Sequence, residues 1–229
     1  MICAYQNYLV ATVSYASGRM SAVQAWWAVT GIVAVAFATP GPNNLAVLAA
    51  ASRGGFIRAA PTAAGVIAGT VALVIVSWAG AGLVFERIPA ARSGLAVAGG
   101  LYFAWLGVQL LRSNEAAEDG SVSRSLSFAA MFLLQFVNPK AWLLVLAVTV
   151  IAHGSVTNLA VLVSIMSAVS LVCLSLWAAM GRIIGVLLQG SAARLWVDRI
   201  LGALLIGLAG LTLAQGASGI DGHLVSHHR

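Results

Sequence analysis

Two short stretches set proline beside amide or ammonium side chains inside an otherwise apolar chain: Thr39-Pro40-Gly41-Pro42-Asn43-Asn44 and Asn138-Pro139-Lys140. A proline within a helix removes a backbone donor and clashes with the carbonyl four residues back. Each break therefore frees carbonyls that hydrocarbon cannot satisfy, and a polar cavity must meet them. A half-helix starting after such a break aims its unpaired N–H groups and positive dipole end at that cavity. A carboxylate binds well there.

Thr39, Pro40, Gly41, Pro42, Asn43, Asn44, Asn138, Pro139 and Lys140 are accordingly the candidate binding residues, with Gln135 one turn before the second break. Lys140 is the only lysine, in a stretch from Ser125 to Met180 otherwise free of Asp, Glu and Arg. An ionisable group at the centre of a membrane helix costs about 2.5 to 3.5 kcal/mol, which marks it as functional by default. Plainer readings stand beside these. A proline kink can serve packing alone, Lys140 can snorkel to an interface or cap freed carbonyls, and Gln135 can hydrogen-bond a neighbouring helix.

The surroundings of these residues define the class. Of 229 residues, 61% are hydrophobic and 8% charged, whereas a water-soluble surface needs about a quarter charged residues overall. Uncharged runs long enough to cross about 30 Å of hydrocarbon recur along the chain. They predict spans over Ala22–Ser52, Ala59–Phe85, Ser93–Leu111, Leu126–Ala152, Leu159–Met180 and Ile200–Leu213. Gly65 and Gly69 in the second span form a small-xxx-small face for close packing, and the third carries Gly99, Gly100 and Gly107. The reading is an all-α integral membrane protein of six transmembrane helices. The transmembrane domain covers residues 22–214, with halves of about 22–112 and 125–214 joined by the polar loop 113–124. Residues 1–21 read as an extension, with Met20 an alternative start, and residues 215–229 as a disordered tail.

Three helices per half is an odd number, so related halves must enter the membrane in opposite directions, as two inverted repeats whose first helices are both broken. Paired breaks of this kind are the best sequence pointer to a transporter's binding site. Arg53, Arg58, Arg112, Arg124, Arg182, Arg194 and Arg199 follow the first, third and fifth spans, and positive loops collect on the cytoplasmic side. Both termini are thus expected outside.

The remaining residues exclude more than they add. The net charge of +6 comes from singly scattered arginines, so no nucleic-acid partner is expected. Cys3 and Cys173 are far apart and suggest neither a disulfide nor a metal site. His153 and the tail histidines read as interfacial or solvated, Glu86 with Arg87 marks the end of the second span, and Trp26, Trp27, Trp105 and Trp196 suit interfacial belts. No acidic pair, Ser/His/Asp set or phosphate-cradling loop lies in the spans, so neither an enzyme nor a cofactor is expected. A non-transporting assembly or sensory subunit is the alternative from another class.

The motifs TPGPNNLAVLAAASRGG, GLYFAWLGVQLLR and LQFVNPKAW, in this order and spacing, resemble the LysE/RhtB family of bacterial amino-acid exporters over about residues 22–214. PGPNN with LQFVN looks closest to the branch that exports cysteine and O-acetylserine. The resemblance implies efflux of small amino acids or derivatives across the bacterial plasma membrane, driven by the proton gradient, with the two breaks as the central site. The partners it implies are a small amino-acid substrate and the lipid bilayer; a homo-oligomer is allowed, not required. Many relatives have an acidic residue after the second proline, where this chain has Asn43 and Asn44. A carboxylate proton carrier is missing at that point.

Overall fold

In the computed structural model, residues 21–81, 89–112, 126–149, 155–187 and 191–226 are described. The extension at residues 1–20, the loop 113–125, Glu86, Arg87 and His153 lie outside them, as do residues 227–229. Every regular element among the described residues is helical.

Helix α1, Ala22–Ala38, opens with a capping box in which Ser21 and Gln24 satisfy each other's backbone N–H. It stops at Thr39, whose extended backbone (ψ 135°) is what the following Pro40 favours. Helix α2, Pro42–Val76, begins with proline at the first helical position, where the missing N–H is no loss. Its first segment is enclosed on all sides, with Leu45 to Ala51 no more than 5% exposed.

The arginine-bearing link expected after the first span is instead a kink within α2. Gly55 there takes φ +65° and ψ −157°, a region that only glycine occupies readily. After the kink, Ala59, Thr62, Val66, Thr70 and Leu73 recur at helical spacing on the buried face. A five-residue π-helix, Ser77–Ala81, ends the segment.

Helix α3, Pro89–Leu111, lies along the last helix, α7, Ser191–Ser226. Between them in sequence come α4, Phe128–Val137, and α5, Pro139–Thr149, bent by 69° at Asn138, and then α6, Val156–Leu187. Helix α6 packs chiefly on α2 and also on α1. Gly65 and Gly69 let α4 approach closely, since a Cβ at either would collide with the carbonyl of Phe128 or Phe132. That is the close-packing role their spacing suggests.

Helices α6 and α7 outrun the expected spans because Arg182, Arg194, Asp198 and Arg199 end an apolar run without ending a helix; arginine is a good helix former. The backbone of α7 likewise continues through residues 215–226, read from the sequence as a disordered tail. Among the described residues four helices are long and apolar enough to cross a membrane, or five if the bent α4–α5 pair is one span, while α1 is a shorter apolar helix. Their outer faces are apolar: Leu133, Leu171, Val172 and Leu176 are each 57–63% exposed. Such a surface suits lipid rather than water. The protein is a multi-pass membrane protein.

Candidate functional site

The two interruptions meet. At the first, the side-chain amide of Asn44 donates to the carbonyls of Phe37 and Thr39, both at 2.8 Å. These carbonyls have lost their helical partners, and Asn44, only 2% exposed, replaces them. At the second, Trp142 Nε1 donates to the Phe136 carbonyl at 2.9 Å. Asn138 Oδ1 accepts from the Lys140 N–H at 3.1 Å and so caps α5. Gly99 of α3 covers this break, lying against the Val137 carbonyl and the Pro139 ring.

Between the breaks the side chains form one network. Asn43 Nδ2 donates to Gln135 Oε1 and Gln135 Nε2 donates to Asn43 Oδ1, both at 3.0 Å. Gln135 Nε2 also donates to the Met131 carbonyl one turn back, at 3.0 Å. Asn138 Nδ2 reaches Asn43 Oδ1 at 3.5 Å. Gln135 and Asn138 are buried, at 0% and 1% exposure. The Lys140 ammonium crosses to the other break, donating to the Thr39 carbonyl at 3.1 Å and to its hydroxyl at 2.9 Å. Gly41 makes room for it: a Cβ there would stand 3.1 Å from Nζ.

These groups line a cavity of about 30 Å³ bordered also by Ala36, Phe37, Thr70, Ala141 and Leu144. That volume admits a water molecule or two, not an amino acid. The first turn of α2 opens beside it with no side-chain cap, so its N–H groups and the positive end of the helix dipole are directed at the cavity. Among the described residues the lining holds one cation, Lys140, and no carboxylate.

Of the residues proposed from sequence, Gly41, Pro42, Asn43, Asn44, Gln135, Asn138 and Lys140 line this cavity. Thr39 enters as the partner of Lys140, and Pro40 and Pro139 shape the breaks. Two plainer readings describe the resting contacts: Lys140 caps a freed carbonyl, and Gln135 hydrogen-bonds another helix. Thr70 was not anticipated, since only its small neighbour Gly69 carried a signal. A second polar contact was also missed. Arg53 Nη2 and Asp198 Oδ2 are 2.8 Å apart, with side chains 11% and 10% exposed. Arg53 follows the first expected span and Asp198 precedes the last, so nothing local in the sequence pairs them. Among the described residues no three His, Cys, Asp or Glu side chains cluster as a metal site.

The chain is 36% identical, over 121 residues, to proteins named cysteine/O-acetylserine efflux protein in Escherichia coli (strain K12) and Shigella sonnei (strain Ss046). The matched stretch is 52% of this chain and 58% of each relative, so the chain spans somewhat over half the length of the curated relatives it matches. No solved structure matches. The family profile described as LysE type translocator matches residues 33–216, a range that contains both breaks and the whole polar network, and the chain belongs to that family.

Proposed function

We propose that this protein exports a small, electrically neutral amino acid or amino-acid derivative, of the cysteine and O-acetylserine kind, across the bacterial inner membrane. The observation that carries the reading is the convergence of Lys140, the uncapped first turn of α2 and the Asn43–Gln135–Asn138 amides on one cavity. The substrate carboxylate takes the place of Thr39 on the Lys140 ammonium and draws on the N–H groups that open α2. Its ammonium is held by the amide oxygens of Asn43, Gln135 and Asn138. The cavity is too small for such a ligand in the present conformation, so binding requires the two broken helices to separate.

Alternating access supplies that separation. Helices α1–α3 and α4–α7 act as two inverted repeats that rock about the site, exposing it to the cytoplasm and then to the outside, where both termini lie. The proton gradient drives the cycle. With no carboxylate among the described residues of the lining, Lys140 is the group that exchanges a proton as substrate arrives and leaves. Uptake of labelled cysteine, O-acetylserine, threonine, homoserine, leucine, lysine and arginine into inside-out vesicles, with and without a proton gradient, tests the reading. Accumulation of the small neutral compounds, lost in Lys140→Met, is the expected result. Absence of flux for every compound by correctly inserted protein would overturn it.

A further inference from the structure

We propose that Arg53 and Asp198 form the latch that closes the passage between the cavity and the membrane face on which Arg53 lies. The proposal rests on the exporter reading for its place in a transport cycle, but its geometry is independent of the substrate. Asn43 stands at the start of α2's first segment and Arg53 at its end, ten residues or about 15 Å further along. One rigid half-helix therefore carries the binding amide at one end and the ion pair at the other.

That half-helix is the plug. Leu45 to Ala51 are enclosed, and the packing of α6 is intimate, since a Cβ on Gly181 or Gly185 would collide with the Leu48 or Ser52 carbonyl. Asp198 holds the same end from α7, and α7 is otherwise packed mainly against α3. The ion pair thus ties a segment of the first three-helix half to a helix of the second. Gly54 and Gly55 follow immediately with non-helical backbone, so the end of the segment next to the latch is also where α2 bends. The Arg182 guanidinium over the Phe56 ring, 5.7 Å from its centroid, is a second tie across the corner.

Energetics favour a switch over a staple. A buried ion pair gains little over an apolar pair of similar shape, because desolvation offsets the Coulomb attraction, yet removing one partner is severely unfavourable. It is a contact with two sharply different states, made or broken, whereas apolar contacts along the half-helix slide by degrees. Loading a substrate from this face requires Arg53 and Asp198 to part.

The test reads accessibility rather than flux. In protein with Cys3→Ser and Cys173→Ser, a reporter Ala50→Cys within the plug is labelled by a membrane-impermeant maleimide after reconstitution. Arg53→Gln and Asp198→Asn should each raise the labelling rate from the Arg53 face at least tenfold. Asp198→Glu, and the exchange Arg53→Asp with Asp198→Arg, should return it towards the parental rate. Single variants that lose thermal stability but label at the parental rate would reduce the pair to a structural contact and overturn the proposal. If singles insert poorly, Asp198→Glu labelling unlike the parent by tenfold would overturn it equally. Labelling that follows the ion pair in a protein that moves no amino acid would sink the exporter reading and leave the latch standing.

Discussion

Asn43 and Gln135 come from different broken helices, 92 positions apart, and exchange two hydrogen bonds of 3.0 Å. The pair is a reciprocal polar bridge between the two breaks at the cavity, beside the Lys140–Thr39 contact. In membrane proteins an interhelical hydrogen bond contributes about 0.6 kcal/mol on average, so the two bonds together contribute on the order of 1 kcal/mol to holding the breaks against each other.

From this follows a double-mutant cycle. Asn43→Ala leaves the buried Gln135 Oε1 without its donor, and Gln135→Ala leaves the half-buried Asn43 Nδ2 without its acceptor; each should destabilise the protein by about 1–3 kcal/mol. The double variant should be less destabilised than the two effects added, with a coupling of about 1 kcal/mol for the two bonds. Unfolding in mixed micelles measures it, and strict additivity would show that the two amides act independently.

Lys140 makes a second case, because its ammonium hydrogen-bonds Thr39 through two contacts. Methionine can fill the volume of the stem without the charge. Lys140→Met should lower transport at least tenfold while leaving the melting temperature within a few degrees of the parent. A collapse in stability of the variant would instead make Lys140 a structural cap for the Thr39 carbonyl.

The readable part of this site was its inventory of polar side chains. Proline, amide and lysine stand out in hydrocarbon because each carries a cost that only a partner or a ligand offsets, and that logic picked out Asn43, Gln135, Asn138 and Lys140. The partners were less legible. Asn44 looks like a ligand from its position, yet it turns back to the Phe37 and Thr39 carbonyls, a choice set by the backbone path through Gly41. Arg53 and Asp198 were hidden for a different reason. Charges beside apolar runs usually mark the ends of spans, and nothing local shows that two of them, 145 positions apart, meet in a buried pair.

The glycines separate site from scaffold. At Gly41 an added Cβ meets only the flexible end of Lys140, at 3.1 Å from Nζ, and φ of −165° is ordinary extended backbone. Gly41→Ala should therefore displace the ammonium from Thr39 and impair transport with little loss of stability. At Gly69 the Cβ meets the Phe132 carbonyl and Gln135 Cγ, both at 2.6 Å. Gly69→Ala forces α4 away from α2 and should destabilise the protein by about 1–3 kcal/mol. Thermal unfolding and vesicle uptake of the two variants, side by side, check the contrast.

Gly55 tests the kink. Its φ of +65° with ψ of −157° is backbone that a Cβ disfavours by about 1–3 kcal/mol, although no neighbouring atom would touch the added methyl. Gly55→Ala should cost stability in that range through the backbone alone. A neutral effect would mean that α2 can straighten or rebend at Gly54 without penalty.

If the cavity is the substrate site, its lining sets which substrate charge it accepts. Among the described residues of the lining Lys140 is the one ionisable group, so on the proposed exporter reading a zwitterion would find its carboxylate matched and its ammonium held by neutral dipoles. A second positive charge on the substrate side chain would stand near Lys140 with no carboxylate to offset it, and like charges in a poorly hydrated site repel strongly. Lysine and arginine should therefore be excluded. Asn43→Asp supplies the missing charge while its oxygens still accept from Gln135 Nε2 and Asn138 Nδ2 in place of Asn43 Oδ1. That variant should take up basic amino acids that the parent rejects and lose ground for the neutral ones. Uptake of lysine by the parent at the rate of the neutral compounds would place the discriminating charge elsewhere than in this cavity.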